Sequence, residues 1–253
     1  GTIVEFSECP EYNKKTPSWL LKLPVQVRGS VAQPNELGLS LVQFNRTVVV
    51  SMEEALSEPI EFNNINFDIP SKENSVHISR GRNVTFRKCS FKSLGHGISI
   101  GDRNRLGDNA GKASVLFVEC VFEDSVGAGV FITGDGHATL RHCRFRGNSK
   151  GIVVKDGGTA VLVGCVIEEA AVGIHLHAQG RSVDLLDCSV QNCANGVMVD
   201  GGTARAHNLT VRGSSVSGVD IHGGAPSTTV TMEHSSVTHC AQGVVTHSGK
   251  VQV

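Results

Sequence analysis

The sequence lacks an excess of charge of either sign, and this absence argues against one class of partner. Among its 253 residues, Lys and Arg number 23 and Asp and Glu number 24, which gives a formal net charge of −1 at pH 7. Nonspecific attraction to nucleic acid and to anionic membranes depends on surplus positive charge. We therefore expect neither a nucleic acid nor a membrane as a partner.

Long apolar runs and aromatic side chains are also scarce. No stretch approaches the roughly 18 consecutive apolar residues of a membrane-spanning helix, and the start lacks the charged-then-apolar pattern of a signal peptide. Aromatic residues make up only 5%, with one Trp and one Tyr, whereas glycine occurs 29 times. The hydrophobic fraction of 40% is too high for a disordered chain. These proportions indicate a folded, turn-rich, all-β protein.

Cysteine is present, but its spacing marks a repeat rather than a disulfide framework. Five of the eight cysteines are separated by 31, 23, 22 and 23 residues: Cys89, Cys120, Cys143, Cys165 and Cys188. Each is followed two positions later by Phe, Ile or Val. A glycine then opens an alternating triplet, as in Gly151-Ile-Val-Val154. The repeat unit therefore holds three short strands of period-2 alternation, with no helical spacing between them.

A unit of this size cannot bury an apolar face alone, so successive units must stack and pair their strands in parallel. The sequence predicts an all-β, single-stranded parallel β-helix with about eight regular coils. The predicted coils are 60–79, 84–100, 115–132, 138–154, 160–176, 183–199, 204–221 and 230–246. Residues 59–253 form one continuous β-helix domain, and residues 1–58 are predicted to form irregular first coils and a cap that covers an open strand edge.

This repeat resembles the right-handed parallel β-helix superfamily, the pectate-lyase-like group, and its repeats in carbohydrate-binding and sugar-hydrolase domains. Its short cysteine-bearing coils are also similar to those of F-box β-helix adaptors and Nessun Dorma-type proteins. The resemblance implies a right-handed helix. It leaves the function open, because this scaffold carries both polysaccharide chemistry and non-catalytic recognition.

The five repeated cysteines are expected to stack inside the column as small hydrophobic residues. Many unbridged thiols favour a reducing compartment, so a cytoplasmic location is predicted. Three glycosylation triplets, at Asn45, Asn83 and Asn208, point the other way, and secretion stays open.

One short segment, Gly95-His96-Gly97, resembles the Gly-His-Gly element of polygalacturonases and makes His96 a catalytic candidate. The accompanying Asn-Thr-Asp, Asp-Asp and Arg-Ile-Lys elements of that family do not occur here. Hydrolysis of a glycosidic bond needs two flanking carboxyl groups. The ordinary interpretation of His96 is a turn residue before a third strand.

Histidines and aspartates recur on the outward positions at and just after the third strands. Stacking of the coils predicts that five of them share one face: His175, His177, Asp200, Asp220 and His222. Such a face could perform acid–base chemistry or, through His177, Asp200 and His222, hold a divalent metal. Solvated polar residues are the commoner explanation, so no cofactor and no metal are expected.

The same outward row contains Phe131, Val153 and Met198, together with Ser99. Exposed apolar stripes are unusual on a monomer and imply a cover. The cover is either part of this chain, namely the 102–112 insertion or a terminal segment, or a partner peptide or protein. These four residues are therefore the predicted partner-binding surface.

The sequence is compatible with two functions. The first is a non-catalytic recognition or scaffold module of a larger protein, which binds a protein partner or an adjacent domain along its outer face. The alternative is an enzyme or binder of uronate-containing polysaccharide, a lyase or hydrolase that uses the His/Asp face on an acidic glycan. The missing catalytic elements favour the first without deciding whether the protein is an enzyme.

Overall fold

The computed structural model describes five strands in 2–51 by their backbone, and residues 60–69, 72, 74–101, 113–177, 180–223 and 228–252. All regular structure in these residues is β, and they contain no helix long and apolar enough to cross a membrane. The all-β prediction is confirmed.

The strands recur in a constant order of three per coil. Their bounds are β1 (Thr2–Phe6), β2 (Trp19–Leu21), β3 (Val25–Gly29), β4 (Ser40–Gln43), β5 (Val48–Ser51), β6 (Ile60–Asn63), β7 (Ile65–Ile69), β8 (Val76–Arg87), β9 (Ser90–Ser93), β10 (Ile98–Ile100), β11 (Ala113–Val118), β12 (Val121–Glu123), β13 (Ala128–Ile132), β14 (His137–Arg141), β15 (Arg144–Arg146), β16 (Lys150–Val154), β17 (Thr159–Val163), β18 (Val166–Glu168), β19 (Val172–Leu176), β20 (Ser182–Leu186), β21 (Ser189–Gln191), β22 (Asn195–Val199), β23 (Thr203–His207), β24 (Thr210–Arg212), β25 (Ser217–Ile221), β26 (Thr229–Glu233), β27 (Ser236–Thr238), β28 (Gln242–Thr246) and β29 (Lys250–Gln252).

Each strand pairs in parallel with its counterpart one coil away, so three sheets run along the column. The first-strand sheet contains β11, β14, β17, β20, β23 and β26, and the third-strand sheet contains β10, β13, β16, β19, β22, β25 and β28. The long strand β8 belongs to both sheets and joins them. The middle-strand sheet has 9 strands, from β4 to β27. This topology is the predicted parallel β-helix.

From β7 to β27 the chain completes about seven turns. The eight predicted coils correspond to the eight middle strands of this segment. Passing from the first of these strands to the last takes seven turns of the chain. Strands within 2–51 continue the same parallel pairing, since β3, β4 and β5 pair with β6, β7 and β8.

The core lies inside the column because the strand residues alternate between inside and outside. In β11 and β17, for example, every second residue is buried. Phe62, Phe86 and Phe117 stack along the first-strand sheet with ring centroids 4.6 and 5.3 Å apart. A second stack follows the middle-strand sheet and contains Phe67, Phe91, Phe122 and Phe145.

The repeated cysteines form a row inside this core, as predicted. Cys120, Cys143 and Cys165 are 0–1% exposed, and the seven cysteines of the described residues are free thiols. The hydrogen bond that the Cys165 thiol donates to Cys143, together with burial, raises the pKa of Cys165 to about 12. A thiol with so high a pKa stays protonated and unreactive. The cytoplasmic location inferred from these thiols stays a prediction.

The corners between strands depend on residues with positive φ. The corner after the first strand places Lys88, Glu119 and His142 at φ 51°, 55° and 53°. Each of these residues donates its backbone N–H to a carbonyl of the next coil. The repeated corner keeps every coil in the same register as its neighbour, and this register is what positions the side chains of the outer faces.

Candidate functional site

The third-strand sheet aligns the outward residues as the sequence predicted. Successive pairings place Ser99, Phe131, Val153, His175, Met198, Asp220 and Val245 in one row. A second row lies one position past each strand, where backbone hydrogen bonds between coils align Thr133, Lys155, His177, Asp200, His222 and His247. The predicted candidates on these two rows therefore lie on one face of the column, which we call the outer face.

The apolar stripe differs from its prediction. Val153 and Ser99 are only 5% and 6% exposed, so they are covered within the chain and offer little surface to a partner. Phe131 and Met198 are half-buried. Phe131 stacks on the His96 ring at 4.5 Å, and the Nζ of Lys155 lies 5.9 Å from the centre of the Phe131 ring. The 102–112 insertion predicted as a cover lies outside the described residues.

His175 is the most enclosed of the predicted catalytic candidates, and it joins polar groups from two other coils. Its Nε2 lies 2.8 Å from Oδ2 of Asp200, which follows β22, and its Nδ1 lies 3.3 Å from Nζ of Lys150 at the start of β16. The side chain of His175 is 9% exposed, and that of Asp200 is 27% exposed. The contact sequence Asp200–His175–Lys150 thus crosses three coils of the outer face.

The electrostatics of this arrangement define the protonation of His175. Burial lowers the pKa of His175, although the hydrogen bond and the negative charge of Asp200 oppose this effect. A neutral imidazole must donate Nε2–H to the carboxylate, so its Nδ1 keeps a lone pair and accepts from the Lys150 ammonium. His175 is therefore held as the tautomer that can accept a proton at Nδ1.

His177 does not bridge Asp200 and His222 as the metal hypothesis required. Asp200 pairs with His175, and the Nδ1 of His177 is buried without a hydrogen-bond partner. The two imidazole rings of His175 and His177 lie 5.5 Å apart. The expected contact between the aligned residues His177 and Asp200 does not form. Asp200 instead contacts His175, which lies two positions before His177 on the neighbouring coil.

Asp220 and His222 form a second cluster nearer the end of the described column. Nε2 of His222 lies 3.1 Å from Oδ2 of Asp220, and Nε2 of His247 lies 3.6 Å from Oδ1 of the same carboxylate. Asp220 itself is 9% exposed. The structure therefore joins His222 to Asp220 and His247.

The contacts of His96 hold its side chain in place at a corner of the column. Its Nδ1 accepts a hydrogen bond of 2.8 Å from the backbone N–H of Ala128 on the next coil, and its own N–H donates to Oδ1 of Asn74. Together with the stacking on Phe131, these bonds hold the ring against the corner before the third strand. Its predicted alternative role, as a turn residue, agrees with this position.

Sequence reasoning did not select Lys150 and His247 as site residues. Lys150 occupies the first position of a third strand, where other coils carry Ala128, Val172 or Ser217, and a basic residue there was the available signal. His247 follows its third strand at the position that His222 occupies one coil earlier. Comparing equivalent positions across all coils would have found both.

A family model described as "Right handed beta helix region" matches residues 74–253. The chain therefore belongs to the right-handed β-helix family, and the predicted handedness and resemblance are confirmed. No curated protein matches the chain.

Among solved structures, the chain is similar to the A-module of the mannuronan C-5 epimerase AlgE4 from Azotobacter vinelandii. It is 12% identical, with a TM-score of 0.48, and the match covers 99% of this chain and 86% of that one. The alginate lyase from Paenibacillus sp. str. FPU-7 is 10% identical, with a TM-score of 0.25 and coverage of 92% of each chain. At these TM-scores, neither similarity supports a conclusion about this chain.

Proposed function

We propose that this member of the right-handed β-helix family acts on a uronate-containing polysaccharide at its outer face. The observation that supports the proposal is the contact sequence Asp200–His175–Lys150, in which a largely buried neutral imidazole is held between a carboxylate and an ammonium group. Binding of a partner alone does not require an imidazole that is enclosed in this way. Acid–base catalysis does require a histidine whose tautomer and orientation are fixed by charged neighbours.

Each residue of this group has a separate role in the proposed reaction. Lys150 leaves Nδ1 of His175 and binds the uronate carboxylate of the substrate, with Lys155 supplying further positive charge on the same face. Nδ1 then accepts the proton from the carbon next to that carboxylate. Asp200 stabilises the imidazolium that forms, and the two ammonium groups stabilise the negative charge that develops on the substrate. In a lyase reaction the electron pair forms a double bond as the neighbouring carbon–oxygen bond breaks, and the released oxygen takes up the proton from the His175 imidazolium, which returns His175 to its neutral form.

The test is a panel of uronate polymers, such as alginate, polygalacturonate and hyaluronan, assayed by the ultraviolet absorbance of new unsaturated ends. We expect turnover of one polymer by the wild-type chain. Asp200→Asn and Lys150→Ala should each lower the rate by about 100-fold or more, the range of general acid–base catalysis.

Matched controls lie on the other sheets. Asp184→Asn removes an exposed carboxylate that pairs with Arg205, and Lys92→Ala removes an ammonium that pairs with Asp124. Both should keep the wild-type rate. A chain that modifies no uronate polymer, or a rate that survives Asp200→Asn, contradicts the proposal.

Protein recognition along the same face is the second candidate, and the apolar surface of Phe131 and Met198 favours it. Phe131→Asp should weaken binding of a protein partner without unfolding the column, because the Phe131 side chain projects outward from the core. Binding measured against denaturant stability separates the two effects. Loss of the folded state would instead identify Phe131 as a core residue.

A further inference from the structure

The second cluster on the outer face takes no part in the proposed reaction, yet its side chains converge on one point. Asp220 lies on β25, His222 follows the same strand, and His247 follows β28 one coil later. Residues 220 and 222 are two apart, so both point outward. His247 aligns with His222 because its backbone N–H donates to the carbonyl of Ile221.

We propose that Asp220, His222 and His247 bind a divalent transition-metal ion, with Zn²⁺ as the ion that suits the donors best. Each residue offers one ligand atom, and these atoms lie within 4.8 Å of one another. Two imidazole nitrogens and one carboxylate are the ligand set of many open zinc sites.

The separations fit a tetrahedral ion. Ligand atoms about 2.0–2.1 Å from a tetrahedral Zn²⁺ lie roughly 3.3 Å from one another. Nε2 of His222 lies 3.1 Å from Oδ2 of Asp220, and Nε2 of His247 lies 3.6 Å from Oδ1, so each imidazole is close to this separation from one of the two carboxylate oxygens. Side-chain rotation of the three residues would bring both imidazoles and one oxygen to a single ion without a change of the coils.

The orientation of the two rings supports the same conclusion. His222 and His247 stack with their centroids 4.5 Å apart and their planes 11° from parallel. This arrangement places both Nε2 atoms beside the Asp220 carboxylate, and a metal ion bound there would be held by the neutral form of each imidazole. Stacking also fixes the direction in which both Nε2 atoms point.

The carboxylate supplies a second, independent observation. Oδ1 of Asp220 is buried and has no hydrogen-bond partner, although the outer Oδ2 contacts His222 and lies 3.5 Å from the hydroxyl of Ser217. Leaving a buried carboxylate oxygen unsatisfied is costly. A metal ion bound by that oxygen and by Nε2 of His247 would remove the cost.

The donor set also selects among ions. Ca²⁺ and Mg²⁺ prefer six or more oxygen ligands, so one carboxylate and two imidazoles favour borderline ions such as Zn²⁺, Co²⁺ and Ni²⁺. His222 and His247 are 43% and 56% exposed, so solvent can reach the ion. Three protein ligands leave at least one coordination position open on the outer face. The bound ion would also link the coil of β25 to the coil of β28.

The experiment is a calorimetric titration of the full chain with ZnCl₂ at pH 7.5, together with the visible spectrum of the Co²⁺ form. We expect one ion per chain and the absorption bands of a tetrahedral Co²⁺ site. Asp220→Asn and His247→Ala should each raise the Zn²⁺ Kd by more than about tenfold. Zn²⁺ should also raise the melting temperature of the wild type, but not that of either variant.

The matched control is His207→Ala. His207 also contacts a carboxylate, Glu233 at 3.6 Å, and another imidazole, His234 at 5.1 Å, but these two rings are nearly perpendicular. Zn²⁺ affinity equal to wild type in His207→Ala supports the proposal. Absence of binding by the wild type, or equal affinities in all variants, overturns it. His247→Ala keeps the test decisive if Asp220→Asn does not fold, because His247 is an exposed side chain.

Discussion

Replacing Gly173 by alanine should destabilise the column by about 3 kcal/mol, the upper part of the range for overpacked cores. A Cβ atom at this position would lie 2.5 Å from the carbonyl oxygen of Gly196 on the next coil and 2.6 Å from Cγ1 of Val190. The carbonyl belongs to a backbone that is hydrogen-bonded to coils on both sides, so it cannot move away. Urea denaturation that yields the free energy of unfolding measures the effect.

Gly243 supplies the control, because it occupies the equivalent position and has no atom within 4 Å of an added Cβ. Gly243→Ala should change the free energy of unfolding by less than about 0.5 kcal/mol, or raise it slightly by restricting the unfolded chain. Equal losses in both variants would mean that the glycines are needed for their backbone conformation. The close approach of successive coils would then not be the cause.

Replacing Phe91 by alanine should lower the free energy of unfolding by about 3–5 kcal/mol, the usual cost of removing a buried aromatic ring. Phe91 is 0% exposed and lies between the rings of Phe67 and Phe122, at 5.1 and 4.9 Å. Its edge also meets Phe86 and Phe117 of the other stack. The cavity would therefore open contacts in both aromatic stacks and in three successive coils.

Phe131→Ala is the matched change on the outside, since Phe131 is half-buried and stacks on the ring of His96. Its loss should cost less than about 1.5 kcal/mol. Thermal or urea unfolding of both variants gives the comparison directly. A larger loss for Phe131→Ala than for Phe91→Ala would contradict the assignment of inside and outside.

The sequence predicted the architecture because each coil repeats the same short pattern. The period of about 22 residues, the alternation within each strand and the inward cysteine fix which side of a strand faces the core. They also fix the register, and Ser99, Phe131 and Val153 pair as the repeat predicts. Several copies of one pattern carry much more information than a single strand.

The corners are harder to predict, because positive φ is ordinarily expected of glycine alone. In the structure, Lys88, Glu119 and His142 adopt it as well. The cost of a left-handed conformation at such a residue is about 1–2 kcal/mol, and interactions of the whole coil outweigh it. A local propensity rule cannot include that tertiary contribution.

The side-chain contacts of the site were also beyond the repeat pattern. Stacking placed His177, Asp200 and His222 one above another, yet Asp200 contacts His175 and His222 contacts Asp220. Neighbouring coils bring several outward side chains within reach of one another. The contact that forms depends on rotamers and on burial, neither of which a sequence pattern records. A comparison of equivalent positions would have found Lys150 but not its contact, since its Nζ reaches diagonally across to Nδ1 of His175.

The row of inward cysteines has a consequence for how the protein can be observed. Because Cys120, Cys143, Cys165 and Cys188 are enclosed and protonated, an alkylating reagent can reach them only when the coils that hold them separate. Among the cysteines of the described residues, Cys240 is only partly covered and should be labelled first. Mass spectrometry of the labelled peptides over time would then show the order in which the coils come apart, with no introduced probe.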